Sequence, residues 1–172
     1  MKISYIRIQN FKSIRDLEIT ELENALILVG KNNTGKTNVI DAILAATGYH
    51  TVCTEEFLDP QKSIDITLSI EFTEEDLQSY QTRGMVSRHR DYEKWLEEFR
   101  SLIPSFQDNT VTFTFHINPE HKVRYNDGFQ KNNPYIREIF PKIYHIDQTR
   151  NLDTLQNDVF SFYDKESFEM LK

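Results

Sequence analysis

The sequence predicts an α/β fold in which a helix packs against a mixed sheet that has a sizeable antiparallel portion. A short apolar run at 26–29 passes through a glycine into an amphipathic segment, which is typical of a buried strand followed by a helix. Alternating apolar and polar residues at 63–72 predict a half-buried strand, and those at 110–117 and 122–125 predict a hairpin. The 172 residues are enough for one domain with a real core.

The first predicted elements are two strands and a helix. Alternation predicts strands at 3–9 and 17–20, separated by a turn, and together with the later strands they form the antiparallel portion of the sheet. A helix is expected to begin near Lys36 and to end near Gly48, because glycine is a common helix stop. Its apolar side, at helical spacing, comprises Val39, Ile40, Ile43 and Leu44.

The later elements include a helical insertion at about 74–104. Its first helix is expected to be capped by Thr73, and its second helix, 91–103, to end at Pro104. Further along, 142–146 is a candidate strand and 158–172 is a candidate helix that runs to the last residue without a breaker. We therefore expect 1–172 to be one domain that is the N-terminal part of a longer protein.

Composition indicates in which compartment the protein is expected and which classes of partner it disfavours. No stretch approaches the ~20 consecutive apolar residues of a membrane span, and a single cysteine, Cys53, suggests a reducing compartment. We expect a cytoplasmic protein without a membrane partner. The net charge of −7 argues against a uniformly basic, DNA-coating surface. The densest basic cluster is interpreted as a solvated helix start and comprises Arg83, Arg88, His89 and Arg90.

Residues 30–37 match the phosphate-binding pattern G-x-x-x-x-G-K-[ST] at every fixed position. Glycines allow the backbone to wrap closely around a polyphosphate, and the following helix start adds its partial positive charge. Lys36 is expected to reach the β- and γ-phosphates of ATP, and the Thr37 hydroxyl to ligate Mg²⁺. The predicted binding loop comprises Gly30, Lys31, Asn32, Asn33, Thr34, Gly35, Lys36 and Thr37.

Two details extend the motif beyond its general form. The loop carries additional asparagines at Asn32 and Asn38, and an Asn-Phe-Lys-Ser turn at 10–13 precedes it by about twenty residues. Over 1–48 the chain resembles the N-terminal segment of ABC-type ATPases of the RecF, SMC and overcoming-lysogenization-defect (OLD) groups. The resemblance implies that Lys12 and Ser13 lie near the nucleotide and that Asn38 supports the loop.

The resemblance also implies what this segment lacks. In these families a C-terminal segment supplies the Ser-Gly-Gly-like signature and the Walker B Asp-Glu pair, and neither occurs in this chain. Two heads then sandwich ATP as a head-to-head homodimer, and in OLD proteins a Toprim nuclease follows. The expected function is ATP binding for DNA metabolism, repair or phage defence, with little hydrolysis by this segment alone.

Three interpretations remain open for the segment around Gln148. By the family order it is a Q-loop, in which Gln148 touches Mg²⁺ or the attacking water. Alternatively Asp147 is the metal carboxylate of a self-sufficient small NTPase or kinase, with Arg83, Arg88 and Arg90 as its lid. It is otherwise an ordinary strand end. A different class, a nucleotide-gated module that binds another protein through 74–103, is compatible with the same sequence.

Overall fold

The computed structural model of the chain describes residues 1–20, 22, 26, 28, 29, 35–140 and 143. The chain divides into two compact units, Met1–Pro141 and Lys142–Lys172, and all but one of the described residues lie in the first. Six strands lie within this part: β1 (Lys2–Phe11), β2 (Ile14–Ile19), β3 (Ile64–Glu71), β4 (Phe106–Gln107), β5 (Thr110–Ile117) and β6 (Val123–Asn126). The helices are α1 (Lys36–Ala46), α2 (Glu74–Thr82) and α3 (Tyr92–Leu102), with 3₁₀ turns at Thr54–Glu56 and Pro134–Ile139.

The described strands form one sheet in the order β2-β1-β3-β5-β4, with β6 also beside β5. Every pairing among them is antiparallel, which confirms the predicted antiparallel portion. The register sets apolar residues opposite each other on the core face, as at Ile66, which lies opposite Ile8 on β1 and Phe115 on β5. Such apolar cross-strand pairs stabilise the sheet and fix its register.

Strand β3 has the predicted half-buried pattern. Ile64, Ile66, Leu68 and Ile70 are all at most 1% exposed and face the core. On the opposite face, hydroxyl groups pair across the strands, with 2.8 Å between Thr67 Oγ1 and Thr114 Oγ1. The two faces differ as expected for alternation with period two.

The helical insertion is well anchored. Thr73 caps α2, as predicted, and Asp91 caps α3 by accepting a hydrogen bond from the Lys94 backbone. Trp95 and Phe99 on α3 are fully buried, and the Phe99 ring lies 5.0 Å from that of Phe106 on β4. These aromatic contacts attach the insertion to the edge of the sheet.

Two expectations about apolar faces are corrected. Val29 is 89% exposed and Leu26 39% exposed, so the burial expected for the 26–29 run is not found at these residues. Burial of a strand on both faces needs packed layers on both sides of its sheet, and the exposed Leu26 and Val29 side chains have no such cover. On α1 the expected core residue Ile40 is 40% exposed, because the helix instead packs through Val39, Ala42, Leu44, Ala45 and Ala46.

The structure does not test the two elements predicted near the C-terminal end of the sequence. The candidate strand 142–146 and the candidate helix 158–172 lie outside the described residues, except for Ile143. Within the described part, no helix combines the length and apolar character needed to cross a membrane.

Candidate nucleotide-binding site

The start of α1 coincides with the end of the phosphate-binding motif. The helix begins at Lys36, as predicted, and Gly35 precedes it in a left-handed conformation with φ +86°. A Cβ placed on Gly35 would lie 3.4 Å from Ser13 Oγ and 3.8 Å from Asn38 Nδ2. Glycine is therefore required here for its backbone conformation and also favoured by the close approach of Ser13.

This helix start has no side-chain cap among the described residues. The first turn of α1 carries no acidic residue, and no side chain of the described part accepts a hydrogen bond from it as a cap. Helix starts present backbone N–H groups and a partial positive charge, which together favour an anion. With the motif directly before it, the α1 start is suited to hold phosphate oxygens.

The β1–β2 turn lies against the beginning of α1. Asn38 Nδ2 donates a hydrogen bond to Ser13 Oγ at 2.8 Å. Thr37 is exposed, whereas Lys36 and Asn38 are half-buried. The fold thus brings Ser13, which is 22 positions before Gly35 in the sequence, to the helix end that the motif creates.

Lys12 occupies the centre of a polar cluster below this turn. Its Nζ lies 2.5 Å from Asp41 Oδ2 on α1 and 3.1 Å from Glu56 Oε1. Partial burial lowers the pKa of Lys12, but the hydrogen bonds to the two carboxylates outweigh it, so the pKa is raised above its usual value. The ammonium group therefore stays charged and is held by two carboxylates.

Glu56 is the most buried charged group of this cluster, with its side chain 9% exposed. Besides Lys12, it contacts His50 Nε2 at 2.8 Å and accepts a hydrogen bond from the Cys53 backbone at 3.0 Å. Burial raises the pKa of Glu56, but the hydrogen bonds from Cys53, His50 and Lys12 lower it more, to about 2. Sequence reasoning missed Glu56, since no motif or local spacing marks it.

The structure brings only part of the predicted site together. Gly35, Asn38 and Ser13 meet at the α1 start, with Lys12 beside them. The predicted site residues Gly30–Thr34, Gln148 and the alternative carboxylate Asp147 lie outside the described residues. No group of three or more potential metal ligands of the His, Cys, Asp or Glu type occurs in the described part of the chain.

The basic cluster of the insertion lies on the loop between α2 and α3. Arg83, Arg88 and Arg90 are exposed there, and Gln81 Nε2 donates a hydrogen bond to the Arg90 carbonyl at 2.6 Å. His89 contacts Glu98 at 3.1 Å. The cluster therefore lies on a loop with defined contacts, which agrees with its interpretation as a solvated segment at a helix start.

This helix start is preceded by a glycine, follows a phosphate-binding motif and has no side-chain cap within the described part of the chain. Together these features define an α/β protein of the nucleotide-binding class. Within that class, the chain belongs to the AAA ATPase domain family, whose model matches residues 1–171. This match confirms the predicted ATP-binding ATPase and the resemblance to ATPase-head segments. No protein with a curated description matches the chain.

Solved structures similar to this chain include three SMC proteins. An SMC ATPase described for its ATP-driven dimerization and DNA-stimulated activation is 16% identical over 73% of this chain and 68% of that chain, with a TM-score of 0.47. An SMC head bound to the C-winged helix domain of ScpA is 15% identical over 73% and 35%, with a TM-score of 0.46. An SMC head with a coiled coil and joint from Pyrococcus yayanosii is 17% identical over 72% and 22%, with a TM-score of 0.43.

Proposed function

We propose that this chain is the N-terminal, Mg-ATP-binding segment of a larger ATPase head that acts in DNA metabolism. The observation that carries the proposal is the start of α1, where Gly35 takes a left-handed conformation and no side chain of the described residues caps the helix. A triphosphate is the anion that fits this helix start, because the G-x-x-x-x-G-K-[ST] motif is one whose backbone N–H groups bind successive phosphates. Membership of the AAA ATPase domain family supports the same ligand.

In this proposal each motif residue has its own contact with the phosphates or with Mg²⁺. Gly30–Thr34 and Gly35 cradle the phosphates, Lys36 neutralises the β- and γ-phosphates, and Asn38 holds Ser13 close to them. Thr37 is exposed and two residues from the helix cap, so its hydroxyl is available as a ligand of Mg²⁺. Gln148 is the proposed second contact of the metal or of the attacking water.

The remainder of the head is proposed to come from beyond the residues of this chain. The signature and Walker B motifs are absent from this sequence, so a second segment has to supply the carboxylates that hydrolysis needs. ATP would then favour a closed homodimer of two heads, since it binds that state more tightly. We propose a cytoplasmic protein of DNA repair or phage defence, with an OLD-like nuclease as the associated activity.

Calorimetry on the folded chain tests the proposal. We expect Mg-ATP to bind with a dissociation constant of about 10 μM to 1 mM, and removal of Mg²⁺ with a chelator to weaken binding. Hydrolysis by this chain alone is expected to be far below the ~1–100 s⁻¹ of complete phosphoryl-transfer enzymes. Absence of Mg²⁺-dependent binding of ATP or GTP at millimolar concentration would overturn the proposal.

A pair of substitutions separates the proposal from its main alternative. If Gln148 is a Q-loop residue, Gln148→Ala weakens Mg²⁺-dependent binding and Asp147→Ala does not. If the chain is instead a self-sufficient NTPase or kinase, Asp147→Ala abolishes Mg²⁺-dependent turnover. Removal of a lid arginine, as in Arg88→Ala, would then also lower the rate, whereas our proposal predicts no effect.

A further inference from the structure

Lys12, the basic residue of the Asn-Phe-Lys-Ser turn, already forms ion pairs within the chain. Lys12 Nζ lies between Asp41 Oδ2 and Glu56 Oε1, at 2.5 and 3.1 Å. An ammonium group has three donors, and two of them are directed at carboxylates here. A lysine whose purpose was to neutralise phosphate would gain little from two carboxylates beside it, because they cancel its positive field.

We infer that Lys12 and Glu56 are positioning residues, which act on nucleotide binding by fixing the β1–β2 turn against α1 and not by direct contact with phosphate. We call the three-residue bridge of Lys12, Asp41 and Glu56 the Lys12 lock. The inference rests on the proposed function, since it assigns the means by which this turn serves the phosphate site. It extends to Glu56, which belongs to none of the sequence motifs.

Glu56 holds the β1–β2 turn against the segment that follows α1. Its carboxylate is held by His50, by the Cys53 backbone and by Lys12, and its own backbone carbonyl accepts a hydrogen bond from the Lys12 backbone at 2.6 Å. A side chain that is 9% exposed and has three partners has little freedom to reorient. The segment after α1 and the β1–β2 turn are therefore joined through both the backbone and the side chain of one residue.

The turn needs such an anchor because its backbone is strained. Lys12 has φ +50°, a left-handed conformation that costs a non-glycine residue free energy and persists only where the surroundings impose it. The Glu56 carbonyl and the two carboxylates impose it on Lys12. The next residue, Ser13, is thereby placed 3.4 Å from the position of a Cβ on Gly35 and 2.8 Å from Asn38 Nδ2.

The consequence for binding follows from this geometry. If the turn shifts, Ser13 and Asn38 move at the helix start, so the whole phosphate cradle loosens and ATP and ADP weaken together. A direct phosphate ligand behaves differently, because freeing it from carboxylates strengthens binding. The two roles thus predict opposite signs for neutralisation of Glu56.

The experiment measures the dissociation constants of Mg-ATP and Mg-ADP by calorimetry and the Tm by calorimetric scanning. We expect Glu56→Gln to weaken both nucleotides by about threefold to tenfold and to lower Tm, while Glu55→Gln, on the same 3₁₀ turn but exposed, changes neither. Lys12→Met is expected to weaken both nucleotides similarly and to lower Tm by about 5 °C. Its matched control is Lys62→Met, at an exposed lysine paired with Asp59.

The double variant tests whether the two residues act through each other. Lys12→Met removes the cation between the Asp41 and Glu56 carboxylates and leaves their mutual repulsion uncompensated, so adding Glu56→Gln should recover part of the lost Tm and cause no further loss of affinity. Additive losses would overturn the inference, as would tighter nucleotide binding by Glu56→Gln. If Lys12→Met does not fold, Glu56→Gln alone decides, because the positioning role predicts weaker nucleotide binding and a direct phosphate contact by Lys12 predicts tighter binding.

The outcomes also separate this inference from the proposed function. If the unmodified chain binds neither nucleotide, the proposed function fails. The Tm values of the unmodified chain, the two single variants and the double variant still report whether the Lys12 lock exists. If the chain binds Mg-ATP but Glu56→Gln leaves both dissociation constants unchanged, the proposed function stands and the positioning role is refuted.

Discussion

The starts of α1 and α2 both present backbone N–H groups that lie beyond the helix's own hydrogen bonds and a partial positive charge, but within the described residues only α2 satisfies them with its own side chains. At α2, Thr73 Oγ1 accepts a hydrogen bond from the Asp76 backbone at 3.2 Å, and the Asp76 carboxylate accepts one from the Thr73 backbone at 2.8 Å. Glu74 and Glu75 add negative charge to the first turn. At α1, Gly35 offers no side chain, and the first turn carries no acidic residue.

This difference distinguishes a structural helix start from one kept available for a ligand. A helix N-terminus stabilises an anion whether the anion is part of the chain or bound to it. At α2 the chain provides the anion and completes the helix itself. Under the proposed function, the stabilisation at α1 is left for the phosphates, so the variants below should affect folding at α2 and ligand binding at α1.

The largest expected effect is that of Lys36→Ala. We expect it to weaken Mg-ATP binding by about 100-fold, or ~3 kcal/mol, the scale of charge-assisted hydrogen bonds between an ammonium group and phosphate. Calorimetric titration measures the dissociation constant. The matched control is Lys94→Ala in the first turn of α3, whose cap Asp91 already satisfies that turn. Equal losses from both variants would contradict the distinction.

The next prediction compares two glycines with nearly identical φ angles. Gly35 has φ +86° and Gly48, after the end of α1, has φ +85°, so alanine at either should cost ~1–2 kcal/mol of the free energy of unfolding. Nothing lies within 4 Å of a Cβ at Gly48, whereas Ser13 Oγ lies 3.4 Å from one at Gly35. Only Gly35→Ala should therefore also weaken Mg-ATP.

Chemical denaturation together with calorimetry checks this pair. The free energies of unfolding of the two variants should agree within about 1 kcal/mol, since both carry the same backbone strain. Their nucleotide affinities should differ by about tenfold. If Gly48→Ala weakened Mg-ATP as much as Gly35→Ala does, general loosening of α1 would explain the result and the helix start would have no special role.

These comparisons show which features local sequence encodes. The Thr73 cap, the beginning of α1 at Lys36 and the alternation of β3 depend on residues a few positions apart, and each was predicted. The Lys12–Glu56 contact joins residues 44 positions apart and needs the β1–β2 turn and the segment after α1 to meet. No spacing rule marks such a pair.

The errors have a related cause. The burial of an apolar run depends on which elements pack over its two faces, so an apolar run that includes the exposed Val29 does not by itself establish a buried strand. Likewise Ile40, which was expected on the apolar side of α1, is 40% exposed, because the helix packs largely through small residues such as Ala42. Pattern indicates that a helix has an apolar side, and packing decides which residues occupy its centre.

A smaller effect is expected from exchanging the two kinds of helix start. Asn38→Asp replaces the amide that donates to Ser13 Oγ with a carboxylate to which the Ser13 hydroxyl can donate instead. The added negative charge in the first turn of α1 should raise the free energy of unfolding by ~0.5 kcal/mol and weaken Mg-ATP by charge repulsion. Thr73→Ala removes the cap of α2 and should lower the free energy of unfolding by ~1 kcal/mol without changing nucleotide affinity. Stability and affinity thus move in opposite directions only at α1. Parallel changes of both quantities in Asn38→Asp would argue against a ligand site there.

The smallest effect is the contribution of the α2 start to the pH dependence of stability. Burial raises the pKa of Asp76, but its hydrogen bonds from the Met1 amine and from Thr73 outweigh this, so the pKa lies below its ordinary value of 3.8. A carboxyl whose pKa is lowered on folding contributes stability above its unfolded pKa and loses it as the pH falls through the folded value. Asp76→Asn should therefore cost ~0.5 kcal/mol of unfolding free energy near pH 7 and progressively less below pH 3.8. Denaturant titrations of both proteins across this range, with exposed Glu75→Gln as control, measure the difference. A gap between wild type and Asp76→Asn that stayed constant down to the acid limit would show that this carboxylate does not complete the α2 start.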